Sequence, residues 1–361
     1  MRLAFTIVLA GWALISTWAA VPVAAQAKGS AESTAAKRVN PQWKAPRTAW
    51  GHPDLEGIWT TDDMRGVPTS RPAQFGTRMY LTDEEFAARA KQRATARQID
   101  DGRAGTFRNE EGSRDFGYTS MVIDPPDGRV PPQTDAARAR PRGPQGSFGV
   151  GPWEKITDFS LYDRCITRGA IGSFMPAVYG NGARITQTPN AVVITYEMIH
   201  DTRVIPLDPV SRNGSASFLE RPRLGPGLQL WMGDARGRWE GDTLVVESTN
   251  FTDKTSVGGA RHSTGLRLTE RFTRINPEMI DYEITVNDPL TFTKPFTMRL
   301  TITQQPDYQI YEYACHEGNL AMRHALLAER AYEKAVAEAK EKGLPPPARV
   351  FERVNGPDRA R

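Results

Sequence analysis

The sequence has 361 residues, of which 39% are hydrophobic and 24% are charged, and its formal net charge is +4. These values are typical of a globular soluble protein. Lysines and arginines are interspersed with acidic residues, which argues against a nucleic-acid-binding surface. The charge supports only a mild preference for acidic ligands.

Residues 1–27 have the three-part pattern of a secretory signal peptide. Arg2 is followed by the apolar run "LAFTIVLAGWALISTWAAVPVAA", and small residues offer cleavage after Ala25 or Ala27. A processing site at the end of the run distinguishes it from a single-pass anchor, which needs about 20 apolar residues. We therefore predict a periplasmic or secreted protein that is not inserted in a membrane after cleavage.

A flexible linker over residues 28–50 and an irregular arm over residues 51–182 are predicted next. Within the arm, Leu55 to Thr61 is predicted as a short strand, and Thr82 and Glu85 form a capping box for a helix to about Gln98. The rest of the arm is rich in Gly, Pro and Arg. A stretch this long without regular elements is expected to wrap the core or build a binding surface.

An antiparallel β core is predicted over residues 183–318. Strand-like runs recur with short turns between them: "ARITQTP", "AVVITYEMI", "TRVIPLD", "LQLWMG", "DTLVVESTNF", "GLRLTERFTRI", "EMIDYEITVND", "FTMRLTITQQ" and "YQIYEYACHE". Their period-2 alternation indicates one buried face, and the short connections favour a meander. Eight or nine strands predict a mainly β fold, either an open curved sheet or a closed barrel. A C-terminal helix over residues 319–343 and a tail over residues 344–361 follow.

Two blocks carry a resemblance to a known family. The blocks "GDARGRWEGDTLVV" and "EYACHEGN", after the "GHPDLEGIW" start, resemble a widespread family of uncharacterised exported bacterial proteins. This resemblance implies export and one fold over most of the mature chain, and it implies no catalytic residues. The Gly-x-Trp of "EGIWT" is separately similar to lipocalin-like barrels.

Strand parity selects the candidate catalytic residues, because a polar residue on an apolar face needs partners or a purpose. Tyr196 and His200 continue the apolar row of "AVVITYEMIH", and Glu270 shares a face with Leu268 and Phe272. His316 lies at the end of the expected last strand. These four residues, Tyr196, His200, Glu270 and His316, are predicted acid/base groups in a barrel cavity. The alternative for Glu270 is a structural ion pair with an arginine such as Arg203 or Arg236.

Candidate ligand-binding residues are Arg203, Arg236, Trp231 and Glu317. Arginine suits bidentate contacts with carboxylates or phosphates. The acidic residues of "GDARGRWEGD" lack the spacing of calcium loops, so this segment is predicted to be a tight hairpin. Motifs for phosphate, zinc and haem are absent from the sequence, and we predict neither a metal nor a cofactor.

The two cysteines, Cys165 and Cys315, are predicted to form a disulfide that closes a loop of about 150 residues. The alternative is a Cys315 thiolate activated by His316. Neighbouring residues on a strand point to opposite faces, which disfavours this dyad.

Two classes of function are consistent with these features. The first is a cofactor-independent periplasmic enzyme that acts on a small aromatic or polycyclic molecule by proton transfer, as a lyase, isomerase or hydrolase. The second is a non-catalytic carrier with a lipocalin-like cavity. A scaffold protein that uses the Arg/Gly/Pro segment for partner contacts is a third. The enzyme is favoured if several titratable groups converge on one cavity.

Overall fold

The computed structural model describes residues 42–101, 114–141, 143–144, 146, 151–177, 179–207, 227–257, 260–305 and 308–348. The predicted signal peptide and residues 28–41 of the predicted linker lie outside the described residues, as do residues 349–361 of the tail. Among the described residues, no helix is long and apolar enough to cross a membrane.

The predicted mainly β class is confirmed. The strands are β1 (Gly57–Thr60), β2 (Val122–Asp124), β3 (Gly182–Thr188), β4 (Ala191–Tyr196), β5 (Thr202–Pro206), β6 (Asp234–Glu240), β7 (Thr243–Thr249), β8 (Ser256–Val257), β9 (Ala260–Arg261), β10 (Arg267–Asn276), β11 (Met279–Asn287) and β12 (Phe296–Thr303). The helices are α1 (Asp83–Asp101), α2 (Asp135–Arg138), α3 (Gly169–Gly172) and α4 (Ala321–Glu341). Single turns of 3-10 helix lie at Asp62–Met64, Ala73–Phe75, Ile156–Asp158 and Met198–His200.

Ten strands form one antiparallel sheet in the order β5-β4-β3-β1-β12-β11-β10-β7-β6, with β2 paired to β12. Strands β8 and β9 form a separate ribbon. The two outer strands of the large sheet come close at one point, where a single parallel bridge joins Leu207, just after β5, to Gly237 in β6. The sheet is therefore strongly curved, and its concave face encloses the core.

The alternation predicted for the long strands is confirmed. In β11 and β12 the inward residues are all buried: Ile280, Tyr282, Ile284, Val286, Phe296, Met298, Leu300 and Ile302. The arm also fills this interior, because the Phe174 ring lies 4.9 Å from the ring centroids of both Tyr196 and Tyr282. Aromatic pairs of this kind stabilise the fold by more than the burial of their surface area alone.

The predicted capping box begins α1. The Thr82 backbone N–H donates to the Glu85 carboxylate at 2.8 Å, and the Glu85 N–H donates to the Thr82 hydroxyl at 3.3 Å. Helix α4 ends before Gly343, as predicted, and this glycine has a φ of +67°. Its conformation is one that glycine adopts without the steric cost of a Cβ.

Three local expectations are wrong. Residues 228–233 form no strand, and only Leu230 makes a bridge, to Phe251. Residues 308–317 form no last strand, because β12 is already paired with β11 on one side and with β1 and β2 on the other. His200 does not continue the interior row, because β4 ends at Tyr196 and the chain then turns through left-handed backbone at Ile199 and His200.

The predicted disulfide is confirmed, with Cys165 bonded to Cys315. It joins the irregular arm to the segment after β12. Asn319 adds a second link, because its side-chain amide donates to the Asp163 carbonyl at 2.6 Å.

Candidate functional site

A buried ion-pair cluster lies inside the curved sheet and contains two of the predicted site residues. Arg203 donates to both Glu270 oxygens, at 2.9 and 2.6 Å, and to the Ser248 hydroxyl at 3.1 Å. The Tyr282 hydroxyl donates to Glu270 at 2.6 Å. The Arg203 and Glu270 side chains are each 1% exposed. The cluster is a bidentate ion pair with two further hydrogen bonds.

Strand parity explains how this cluster forms. Ser248, Glu270 and Tyr282 occupy inward positions on the paired strands β7, β10 and β11, and Arg203 reaches them from β5. Burial alone would lower the pKa of Arg203, but the Glu270 carboxylate holds it well above its usual value. The arginine therefore stays charged, and the pair is held together by charge in a region of low polarity.

Tyr196 lies beside this cluster without joining it. Its hydroxyl and Arg203 Nε are buried and make no hydrogen bond. Burial raises the pKa of Tyr196 above its usual value. The structure therefore brings Tyr196, Arg203 and Glu270 together in the buried interior of the sheet, and an acid/base role for them stays a prediction.

The other predicted site residues lie outside the interior. His200, His316 and Glu317 are exposed. Trp231 is partly exposed, and the Lys254 ammonium lies 5.4 Å from its ring centroid. Arg236 is opposite Glu247 in the hairpin of β6 and β7, so the predicted tight hairpin is confirmed at this position.

A second arrangement, here called the arginine–tyrosine cluster, consists of Tyr162, Arg168, Tyr179 and Tyr313. The hydroxyls of Tyr162 and Tyr313 are 3.1 Å apart, and the rings of Tyr179 and Tyr313 stack at 6.1 Å. The Arg168 guanidinium carbon lies 5.9 Å from the Tyr162 ring centroid. Three partly exposed phenols are therefore grouped together, and the ring of one of them, Tyr162, lies against the Arg168 cation.

Arg168 differs from Arg203 in its partners. One of its terminal nitrogens, Nη2, donates to the Met175 carbonyl at 3.2 Å. The other, Nη1, is buried and makes no hydrogen bond. No carboxylate of the described residues forms an ion pair with Arg168. Burial lowers the pKa of Arg168, although an arginine remains protonated at neutral pH.

The phenols do not supply the missing negative charge. Burial raises the pKa of Tyr162 and of Tyr313 above their usual values. Both hydroxyls are therefore neutral at neutral pH and are available as hydrogen-bond donors. The cluster offers one cation and several donors, which is a set of groups that suits an anion.

The third arrangement is the threonine–histidine pair of Thr255 and His262. Thr255 precedes β8 and His262 follows β9. The register Ser256 to Arg261 and Val257 to Ala260 places the two residues opposite each other. The Thr255 hydroxyl is hydrogen-bonded to His262 Nε2, and Nδ1 lies 3.0 Å from the Ser263 carbonyl. Because a carbonyl only accepts, Nδ1 carries the proton and Nε2 accepts from Thr255.

His262 is buried, which lowers its pKa by disfavouring the imidazolium. Asp288 supports the same loop, because its carboxylate accepts from the Ser263 N–H at 2.7 Å and from the Ser263 hydroxyl at 2.6 Å. Those donors help to hold the pKa of Asp288 below its usual value, although burial alone would raise it. The imidazole is neutral near pH 7 and its tautomer is fixed.

A small pocket of about 10 Å³ adjoins this pair, which is about the space that one water molecule needs. Its walls include α3, Phe251, Thr255, His262 and Leu268. Gly169 allows the close approach of α3, because a Cβ at this position would lie 3.1 Å from the Thr255 Cβ. Its φ of +75° also favours glycine.

Sequence reasoning missed both of these arrangements. Parity does not apply to the irregular segment that holds Tyr162 and Arg168, or to the short ribbon that precedes His262. One signal was present: "LYDRCITR" and "YEYACHE" each place one tyrosine, Tyr162 or Tyr313, within three residues of a cysteine, so the predicted disulfide brings these two tyrosines close together. No comparable signal marked Thr255.

Among the described residues, no group of three or more His, Cys, Asp or Glu side chains is placed to hold a metal ion. Comparison of the chain with protein-family models, curated proteins and solved structures finds no match.

Proposed function

We propose that the protein is an exported, cofactor-independent enzyme of hydrolase type that acts on a small molecule through Thr255 and His262. The observation that carries the proposal is the hydrogen bond from the Thr255 hydroxyl to His262 Nε2, with Nδ1 fixed by the Ser263 carbonyl. A hydroxyl nucleophile is usually activated by an adjacent base, and a third group holds that base in the right orientation.

The chemistry follows from the protonation states. As Thr255 Oγ1 attacks the carbonyl carbon of an ester, His262 Nε2 takes the hydroxyl proton. The ester C–O bond then breaks, and His262 returns the proton to the leaving alkoxide. In the second half of the reaction, the water oxygen attacks the carbonyl carbon of the acyl-threonine, and His262 Nε2 takes a proton from the water. The bond between the acyl carbon and Thr255 Oγ1 then breaks, and His262 returns the proton to Oγ1. The lowered pKa of His262 keeps the imidazole in the form that begins this sequence.

The test is hydrolysis of short-chain 4-nitrophenyl esters by the purified mature protein. Thr255→Val removes the hydroxyl at nearly constant volume and is expected to lower the rate by about 100-fold or more, the scale of acid/base catalysis. Thr255→Ser keeps the hydroxyl and should retain most activity. Thr252→Val, on the same loop, is the matched control. A wild-type rate no higher than that of buffer, or full activity in Thr255→Val, would overturn the proposal.

Export is part of the proposal. Support comes from the N-terminal sequence pattern, from the resemblance to an exported family, and from the disulfide, since cytosolic proteins usually keep their thiols reduced. We also propose that the curved sheet approaches a lipocalin-like barrel. The bridge between Leu207 and Gly237 supports this, because it links the two outer edges of the sheet.

A non-catalytic carrier is the second candidate, and the arginine–tyrosine cluster favours it. The carrier would hold its ligand at that cluster, since Phe174 already occupies part of the sheet interior. Ligand binding without turnover of any ester would support the carrier over the enzyme.

A further inference from the structure

We propose that the arginine–tyrosine cluster is a binding site for a small aromatic carboxylate. The first reason is the charge of Arg168. Its Nη1 is buried without a hydrogen bond, and no described carboxylate pairs with it. A buried donor without a partner costs folding free energy, more so when it is charged. A ligand carboxylate would supply both the missing acceptor and the missing charge.

The second reason is the chemistry of the surrounding hydroxyls. Tyr162 and Tyr313 lie within hydrogen-bond distance of each other, and burial keeps both in the neutral form by raising their pKa values. Both residues also form side-chain hydrogen bonds with Tyr179. A phenol hydroxyl can rotate about its C–O bond, so one member of this network can donate to a ligand oxygen instead. A carboxylate bound here would accept from Arg168 and from one phenol.

The third reason is the shape of the side chains. Tyr179 stacks on Tyr313 with an interplanar angle of 24°, and Tyr162 presents its ring to Arg168. Aromatic faces favour a planar ring as the rest of the ligand. All four residues are partly exposed, so the cluster opens to the surface. Since Nη1 itself is covered, binding involves a small movement of the rings, and such side-chain changes are common on binding.

The disulfide holds the two halves of the site together. Cys165 lies between Tyr162 and Arg168, and Cys315 lies two residues after Tyr313. Glu197 positions the same segment, because it accepts from the Tyr308 hydroxyl at 2.6 Å and from the Tyr311 N–H at 3.3 Å. The site is therefore built from fixed segments, which lowers the entropy cost of binding. It does not depend on the proposed hydrolase activity.

The test is calorimetric titration of the purified, oxidised protein with benzoate. Benzamide, which is neutral, and cyclohexanecarboxylate, which lacks the aromatic ring, are the matched ligands. We expect benzoate to bind more tightly than either of them, and its affinity to fall as salt screens the charge. No heat of binding with millimolar benzoate, or equal affinity for benzamide, would overturn the proposal.

Variants locate the site. Arg168→Met is expected to weaken benzoate binding by about 10- to 100-fold, the loss typical of a charged hydrogen bond. Arg168→Lys keeps the charge and should retain part of the affinity, and Tyr313→Phe should weaken binding several-fold. Arg164→Met, in the same segment, is the control and should bind like the wild type. Near-UV circular dichroism confirms that each variant is folded, and unchanged binding in a folded Arg168→Met variant would also overturn the proposal.

Discussion

Arg203 and Arg168 lie in two regions of the molecule and have different surroundings. Arg203, inside the sheet, donates from both terminal nitrogens to the Glu270 carboxylate and from Nη2 to the Ser248 hydroxyl. Arg168, beside the disulfide, has one carbonyl and three phenols, with Nη1 left without a partner. The charge of Arg203 is neutralised by a carboxylate of the protein itself, as is typical of a structural ion pair. The charge of Arg168 has no such partner among the described residues and could be neutralised by a ligand.

Loss of the carboxylate that pairs with Arg203 should destabilise the protein most. Glu270→Gln keeps the side-chain volume but leaves Arg203 as an uncompensated buried charge, so the free energy of unfolding should fall by about 3 to 5 kcal/mol in urea denaturation. Glu283→Gln is the control, because Glu283 forms a partly exposed ion pair with Arg299 on the outer face and should cost at most about 1 kcal/mol. The double variant Arg203→Met/Glu270→Leu should be less damaging than Glu270→Gln alone. Equal losses in Glu270→Gln and Glu283→Gln would contradict a structural role for the buried pair.

Two tyrosines beside the Arg203–Glu270 pair differ in whether their hydroxyl groups are hydrogen-bonded. Tyr282→Phe removes a 2.6 Å hydrogen bond to Glu270 and should lower the free energy of unfolding by about 1 to 3 kcal/mol. Tyr196→Phe removes a buried hydroxyl that has no partner, and its stability should be unchanged or higher. The two variants delete the same atom and create little cavity, so the contrast isolates the hydrogen bond. A similar loss in both would mean that the Tyr196 hydroxyl has a partner in solution.

His262 is a third buried ionisable group, and its effect depends on pH. Its folded-state pKa lies below the usual 6.5, because burial disfavours the charged form. As the pH falls, His262 therefore binds a proton at a higher pH in the unfolded chain than in the folded protein. The stability that neutral His262 contributes is present above pH 6.5 and is lost as the pH falls from 6.5 toward the folded-state pKa, with a slope of up to about 1.4 kcal/mol per pH unit.

Urea denaturation between pH 7.5 and 5 measures this dependence. The His262→Gln variant should show a shallower slope than the wild type over the same range. Identical slopes would show that His262 is not buried in solution, and this would also weaken its assignment as a general base.

Removal of Arg168, the arginine without an ionic partner among the described residues, should change the stability least. Arg168→Met should change the free energy of unfolding by no more than about 1 kcal/mol, because the removed charge has no ion pair to break and its burial is costly. Arg203→Met, which leaves Glu270 unpaired, should cost about 3 to 5 kcal/mol by the same measurement. If Arg168→Met were as damaging as Arg203→Met, the arginine–tyrosine cluster would be structural and the difference between the two regions would disappear.

The sequence was most informative where strands are long. Alternation in β10, β11 and β12 predicted the inward rows and the position of Glu270, because burial on one side of a sheet leaves a period of two. The same signal was misleading at residues 308–317. The residues in that stretch alternate, but Glu197 accepts hydrogen bonds from Tyr308 and Tyr311. The preceding strand, β12, also has no free edge with which this stretch could pair.

The candidate sites were harder to predict because they depend on contacts distant in sequence or on local backbone geometry. The position of His200 depends on two residues with positive φ, which neither residue type suggests. Arg168 lies in a segment without a regular period, and its lack of an ionic partner is a property of the whole fold. Of the features around Arg168, only the pairing of Cys165 with Cys315 could be predicted, from the number of cysteines and the expected compartment.

That pairing has a consequence for when the protein can bind a ligand. The residues of the arginine–tyrosine cluster come from segments about 150 positions apart, and the disulfide is the covalent link between those segments. A chain held in a reducing compartment would keep Tyr313 free to move away from Tyr162 and Arg168. Oxidation of the two cysteines would then act as the step that completes the proposed site, so affinity for an anionic ligand would depend on an oxidising compartment.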